Sequence, residues 1–286
     1  MDFLSALRSG QPVFSAELRP PRAELEAADG MNAWIDTYHA IKRLTKEDTY
    51  VFLTDSAVGA AEEDNLRHLT TNLGRDVPRQ RIVPFMTAKH PLEYCLSYAE
   101  RAQQSGFPAL VVLGGDKSVG TPRCVEHAWQ LRQVIRRQNP SLTLGGWANP
   151  HDNASRQVDF LMAPHFTAEF FLTQVVSHHD AAAVSTFLET ARTRGLELPG
   201  VFGVFYYRSA SPKTLQILKG FLPVPVEGLT REFGEGASPD EICARTLRCL
   251  VDLGARHFYI SNLPIGRAAA VMVSILDRAG LTKSRG

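Results

Sequence analysis

The residues of this chain best suited to chemistry stand at the ends of short apolar runs. The first run closes as FSAELRPP, setting Glu17 among apolar neighbours just before Arg19, Pro20 and Pro21. Strand alternation puts Val13, Ser15 and Glu17 on one face and Phe14, Ala16 and Leu18 on the other. A carboxyl drawn into a pocket loses hydration, so its charged form is disfavoured. Its pKa then rises toward the range where it serves as a general acid near neutral pH. The two prolines stiffen the exit behind it. The competing reading is a carboxylate paired with Arg19 or Arg22, and spacing alone does not separate the two.

A second run, ALVVLGGD, ends in two glycines and Asp116, which lets backbone approach a ligand while presenting an acceptor-only carboxylate. Ordinary turn chemistry explains the same three letters and carries more weight for them taken alone. Further on come Trp147, Asn149 and His151, then Thr173 and Gln174, then Phe205, Tyr206, Tyr207 and Arg208. Tyr and Trp planes stack on flat heterocycles. A glutamine amide both donates and accepts along a ring edge. Each of these residues singly is better read as barrel filling; their common position at run ends is the stronger argument.

The triplet His178, His179, Asp180 has metal-ligand types. Adjacent residues seldom face the same way, and no third cluster has metal spacing. Asp180 is therefore read as the N-cap of the following AAAVSTFLETA helix, and no metal is expected. Cys95, Cys124, Cys243 and Cys249 form no CxxC pair and read as reduced, mostly buried thiols.

The elements that must position these groups alternate along the whole chain. Strands are predicted over 13–18, 50–54, 81–87, 109–113, 143–147, 169–174, 201–205 and 257–260, separated by amphipathic stretches. Over 91–104, Leu92, Cys95, Leu96, Ala99 and Ala102 recur at helical spacing, with Pro91 in the first turn. Near the end, Ser238 reads as an N-cap before Pro239, and Ile242, Thr246, Leu250 and Leu253 keep one face as far as Gly254. The segment 222–236, punctuated by Pro223, Pro225, Gly228, Gly234 and Gly236, reads as an inserted loop. Eight βα units without an internal linker predict one (β/α)₈ TIM barrel spanning 1–286, in keeping with the ~250 residues such barrels need. In that fold chemistry belongs at the C-terminal strand ends, where these residues stand.

Composition narrows the function. Hydrophobic residues make up 44% of the 286 and charged residues 21%, ordinary for a packed globular chain. The 31 basic and 30 acidic residues nearly cancel without long blocks of either sign, which argues against nucleic-acid or anionic-membrane partners. No segment has the ~18 apolar residues of a membrane helix and no secretory leader is evident, so a cytoplasmic location is expected. A homo-oligomer is compatible with the sequence but not specified by it.

Taken in order, the strand ends resemble those of the methylenetetrahydrofolate reductase family, the flavin-dependent folate barrels, over nearly the whole chain. FSAELRPP is similar to that family's F-E-F-x-P-P signature, VVLGGD to L-R-G-D, FFLTQ to I-T-Q, ELPGVFGV to P-G-I-x-P-I and HFYISN to H-F-Y-T-L-N. The resemblance implies reduction of 5,10-methylenetetrahydrofolate to 5-methyltetrahydrofolate, or the reverse oxidation, with NAD(P)H as reductant. It places Glu17 on the catalytic acid, Asp116 and Gln174 on residues that contact the folate ring, and Tyr207 near a stacking aromatic. Thr54, Trp147 and His151 fall on flavin-contacting positions.

The departures gather where that family holds flavin. Gly114 stands in place of the arginine of L-R-G-D, Phe85 in place of a histidine, and the Arg-Lys pair before I-T-Q has no counterpart. Only Arg156 and His165 carry basic nitrogens between His151 and Gln174. A dinucleotide diphosphate is normally met by Arg, Lys or helix N-termini. Either FAD binding is weak or altered, or hydride passes directly from NAD(P)H, and the residues lean to the second. With no GxGxxG turn, NADH and NADPH are not distinguished. Two other classes compete: a non-catalytic folate-binding barrel, against which the acid at position 17 argues, and a folate-linked methyl or one-carbon transferase subunit, which would need a docking or corrinoid-binding element.

Overall fold

The computed structural model describes residues 1–21, 25–55, 73–74 and 76–282. Eight parallel strands close on themselves in sequence order: β1 (Val13–Leu18), β2 (Tyr50–Leu53), β3 (Ile82–Thr87), β4 (Ala109–Leu113), β5 (Thr143–Ala148), β6 (Phe170–Val176), β7 (Gly200–Phe205) and β8 (His257–Ser261). The helices are α1 (Phe3–Arg8), α2 (Ala27–Lys46), α3 (Leu92–Gln104), α4 (Ala128–Gln138), α5 (Ala154–Met162), α6 (Ala181–Thr193), α7 (Pro212–Lys219), α8 (Val226–Gly234), α9 (Pro239–Asp252) and α10 (Ala268–Ala279). The chain is thus a (β/α)₈ TIM barrel, as its rhythm of runs predicts.

Alternation sorts the strand residues into two cores. Ala16, Leu18, Val51, Leu53, Leu110, Val112, Phe202 and Val204 face outward and pack with the helices. Val13, Phe52, Phe85, Val111, Leu172, Val201 and Tyr259 point inward. The α1 helix closes the N-terminal end: Phe3 is fully buried, with its ring edge-on to Tyr50, Phe52 and Phe170 at 5.1–5.3 Å. Burying such a ring contributes about 1.5–3 kcal/mol, enough to plug one mouth and leave the other for chemistry.

Inside, large rings rest on glycines. A Cβ on Gly145 would stand 2.5 Å from the Phe170 ring, and one on Gly203 would stand 2.4 Å from that of Tyr259. Only glycine admits rings so close to the neighbouring backbone.

Several local expectations hold and others shift. Ser238 caps α9 reciprocally with Glu241, and the chain turns away at Gly254, whose φ of 101° suits a residue without Cβ. Pro91 is the N-cap of α3, one position before the expected first turn. The 222–236 segment is not simply a loop, because α8 forms within it. Leu229 is buried against Tyr207, Leu215 and Ile242, so tertiary burial overrides the low helix propensity of Gly228 and Gly234. Asp180 occupies the N-cap position of α6, but its side chain makes no cap hydrogen bond. Ser177 caps the preceding 3-10 turn instead, accepting from the His179 N–H at 3.3 Å.

Candidate functional site

Inward parity at the C-terminal strand ends brings a specific set of residues to one mouth. Glu17 follows Val13 and Ser15 on the interior face of β1. Ser261 follows His257 and Tyr259 on β8, and β1 and β8 are neighbours, with Ala16 beside Ile260. The Ser261 hydroxyl donates to Glu17 Oε1 at 2.9 Å. Glu17 is partly exposed at the rim, yet protein packs closely about its carboxyl. Burial drives its pKa above the ordinary range, opposed by the Ser261 hydrogen bond and the charge of Arg19. Both readings of Glu17 thus carry weight, with Arg19 contributing field and desolvation dominating. Arg22 lies outside the described residues.

Beneath Glu17, Tyr259 is fully buried and donates to the Thr173 carbonyl at 2.6 Å. That contact sits at a β-bulge in β6. Leu172 pairs with Val201, but Val175 rather than Gln174 pairs with Gly203, so one extra residue is accommodated. The Thr173 hydroxyl accepts the orphaned Gly203 N–H at 3.0 Å. The bulge re-aims the strand: Leu172 faces the interior, Val176 faces the helices, and Gln174 stands at the transition. The Gln174 side-chain oxygen accepts from the Val175 N–H at 2.9 Å, which fixes its orientation. His151 Nε2 meets the Val175 carbonyl at 2.9 Å, tying the loop after β5 to the same bulge. Trp147, partly buried, packs on the interior core from the end of β5. Thr54 lies beside the end of β1, its N–H donating to the Leu18 carbonyl at 3.0 Å.

Asp116 lies on the loop after β4. It accepts from both the N–H and the hydroxyl of Ser118 at 2.8 Å, the turn chemistry anticipated for GGD. These bonds, with the charges of Lys89 and Arg123, hold its pKa below the usual carboxylate range. Tyr207 is placed differently from the others. It is buried in a satellite core with Leu215, Leu229 and Ile242, its ring 4.9 Å from that of Phe205.

Two features escape a reading of the sequence by motif. Ser261 needed the closure of β8 on β1 to reveal it, although alternation from Tyr259 already gave its parity. Arg123 is the other. A Cβ on Gly114 would come within 2.6 Å of the Arg123 guanidinium, so the space beside Gly114 is filled by an arginine from nine residues along the chain. Its Nη2 donates to the Gly115 carbonyl, and its Nε is buried without a hydrogen-bond partner.

His178 and His179 do face the same way, contrary to expectation. Their rings lie 4.1 Å apart, and both Nε2 atoms meet the buried Glu232 of α8, at 3.2 and 3.1 Å.

The remaining flavin-site departures can be tested against the packing. Phe85 is buried in the barrel interior, its ring 5.4 Å from Phe52. Arg156 is paired with Asp152 at 2.5 Å, and the His165 ring lies 4.6 Å from Trp129. Among the described residues between His151 and Gln174, the two basic side chains therefore each meet a protein neighbour, Arg156 an acid and His165 an indole ring.

No protein-family model matches the sequence, and no curated protein sequence matches it significantly. Solved structures share the fold. An uncharacterised Clostridium thermocellum protein that binds two copies of 5-methyl-5,6,7,8-tetrahydrofolic acid aligns with a TM-score of 0.69 at 16% identity, covering 96% of this chain and 99% of that one. The Bacillus megaterium spore cortex-lytic enzyme SleL aligns at 0.51 with 10% identity, over 92% of this chain and 74% of that one. Leishmania donovani UMP synthase aligns at 0.54 with 13% identity, over 98% and 56%. At such identities the likeness is one of fold. Among the described residues no helix is long and apolar enough to cross a membrane.

Proposed function

We propose that this protein interconverts 5,10-methylenetetrahydrofolate and 5-methyltetrahydrofolate with NAD(P)H or its oxidised form as the redox partner, and that Glu17 is its general acid. The observation that carries the proposal is the Glu17 carboxyl at the barrel mouth, held by Ser261 and biased by burial toward its protonated form. The strand-end resemblance supports the choice of substrate, as does the Clostridium thermocellum neighbour that binds 5-methyltetrahydrofolic acid.

The chemistry asks for such a group. The methylene carbon bridges two nitrogens, and hydride adds only after one C–N bond opens to an electrophilic iminium. Proton donation from a neutral carboxylic acid to the leaving nitrogen promotes that opening, typically by about 10²–10⁴-fold. The carboxylate left behind, together with Asp116, favours the cation electrostatically. Hydride from NAD(P)H then reduces the iminium carbon to the methyl group, and Glu17 regains a proton from solvent. Gln174 is assigned to the edge of the pterin ring, and Trp147, Thr54 and His151 to the nicotinamide side of the pocket. Tyr207 supports the wall from behind, through the core it shares with Phe205.

The test is oxidation of NADH and NADPH by purified protein with and without methylenetetrahydrofolate. Oxidation that depends on the folate, and is lost in Glu17→Gln while folate still binds, is the expected result. Full activity in that variant removes Glu17 from the role. Folate binding without turnover would favour a binding barrel instead. An absorbance scan before and after adding FAD checks the hydride route, and stoichiometric bound flavin would overturn direct transfer.

A further inference from the structure

We propose that His178, His179 and Glu232 form a binding site for a divalent transition metal of the zinc class, clipping the inserted helix α8 to the turn after β6. Two imidazoles and a carboxylate are a borderline-soft donor set of the kind zinc takes. Their donor atoms all lie within 4.8 Å of one another. His178 Nε2 lies 3.2 Å from Glu232 Oε1 and His179 Nε2 lies 3.1 Å from Oε2, each close to the ~3.3 Å between two ligands of a tetrahedral ion with bonds of ~2.0–2.1 Å.

The Thr246 hydroxyl lies 2.8 Å from His178 Nδ1 and 3.2 Å from the Ile242 carbonyl. In the rotamer that donates to Ile242 it accepts from Nδ1–H, which turns the Nε2 lone pair toward Glu232, the tautomer in which a cation is held between them. A histidine ligand whose second nitrogen donates to a fixed oxygen is the usual outer-shell arrangement at metal sites.

The packing around the cluster is built to hold both rings. A Cβ on Gly228 would stand 2.4 Å from the His179 ring, so this glycine of α8 makes the approach feasible. His179 also lines an open surface hollow with Gly228, Glu227, Arg231 and Lys219, which gives an ion a way in and leaves room for water as a further ligand. Arg245 competes for the carboxylate, donating to Glu232 Oε1 at 2.7 Å. It is 44% exposed, so it can swing into solvent when an ion binds. Glu232 lies more than fifty residues from the two histidines in sequence, so an ion here would restrain the whole insertion that covers Tyr207.

Full-length protein stripped with a chelator is titrated with zinc sulfate against a chromophoric zinc indicator, and with cobalt to read its d–d absorption. One equivalent of zinc per chain is expected, with a rise in Tm of roughly 5 °C at saturating metal. His179→Ala and His178→Ala should each weaken binding at least a hundredfold and abolish the cobalt bands, with an unchanged far-ultraviolet circular dichroism spectrum as the check on folding. Thr246→Val keeps all three ligands and should weaken binding about tenfold. Zinc binding that is absent from the wild-type chain, or undiminished in the histidine variants, overturns the site. Metal binding is read without folate or NAD(P)H, so its failure and that of the reductase reading are told apart.

Discussion

The β1/β8 seam carries an ionisable group at each end, and the two ends behave differently. At the N-terminal end His257 lies beside Val13, covered by α1 and hydrogen-bonded with the Leu7 backbone, its Nδ1 left without a partner. At the C-terminal end Glu17 lies beside Ser261 at the open mouth. Burial acts on both in the same sense, toward the neutral form: the His257 pKa is pulled down to about 4 and that of Glu17 is raised. The difference is access. A plugged floor turns a neutral group into a stability liability at low pH, whereas an open rim leaves one within reach of a ligand, as the proposed acid role of Glu17 requires.

The largest expected effect breaks the mouth alone. Glu17→Gln keeps shape and hydrogen bonding but cannot deliver a proton, so turnover of methylenetetrahydrofolate should fall by about 10²–10⁴-fold. The variant should be no less stable at neutral pH. A carboxyl with a raised folded pKa contributes stability below its unfolded value of 4.5, and this is lost as pH rises through the folded value. Steady-state kinetics beside urea unfolding decide it; a loss of stability parallel to the loss of rate would make Glu17 a structural residue.

The next effect belongs to the floor. His257 has a folded pKa of about 4 against 6.5 unfolded, so the unfolded chain takes up the proton first as pH falls. Stability should decline from pH 6.5 downward and be lower by about 3 kcal/mol at pH 4 and below. His257→Gln should flatten that limb while leaving turnover at neutral pH unchanged. An identical acid limb in both proteins would remove His257 as its cause.

A smaller effect couples the core to the mouth. Gly203→Ala drives a Cβ into the Tyr259 ring, which cannot retreat without losing its hydrogen bond to Thr173. Overpacking of this kind costs about 1–3 kcal/mol. Thermal unfolding of the variant at the wild-type Tm or above would show that the ring has room to move.

Both ends of the seam were legible in different degrees. The barrel follows from eight short apolar runs separated by amphipathic stretches, and alternation along the first run groups Glu17 with Val13 and Ser15, the face that points inward. Parity fails at Gln174, because a bulge inserts one residue and no letter in FFLTQVV announces it. Glu232 was hidden for another reason. It lies on a helix inside a Pro- and Gly-punctuated segment, which forms only because Leu229 finds a core contributed by other elements. Arg123 fills the space at Gly114 from a loop, a placement set by tertiary packing rather than by local pattern.

The smallest effect tests whether burial or hydrogen bonding governs the mouth. The Ser261 hydroxyl stabilises the charged form of Glu17 and so works against desolvation. Removing it in Ser261→Ala should raise the Glu17 pKa further and move the alkaline limb of the rate profile to higher pH. A hydrogen bond to a charged group is worth about 1.5–3 kcal/mol when buried, and less at a half-exposed rim, so the limb should move by about one pH unit or less. The rate on the low-pH plateau, where Glu17 is already protonated, should stay within about threefold of wild type. A limb that moves to lower pH would mean that Ser261 serves the protonated acid. The neutral form would then be set by a specific contact as well as by burial, and the parallel with His257 at the floor would fail.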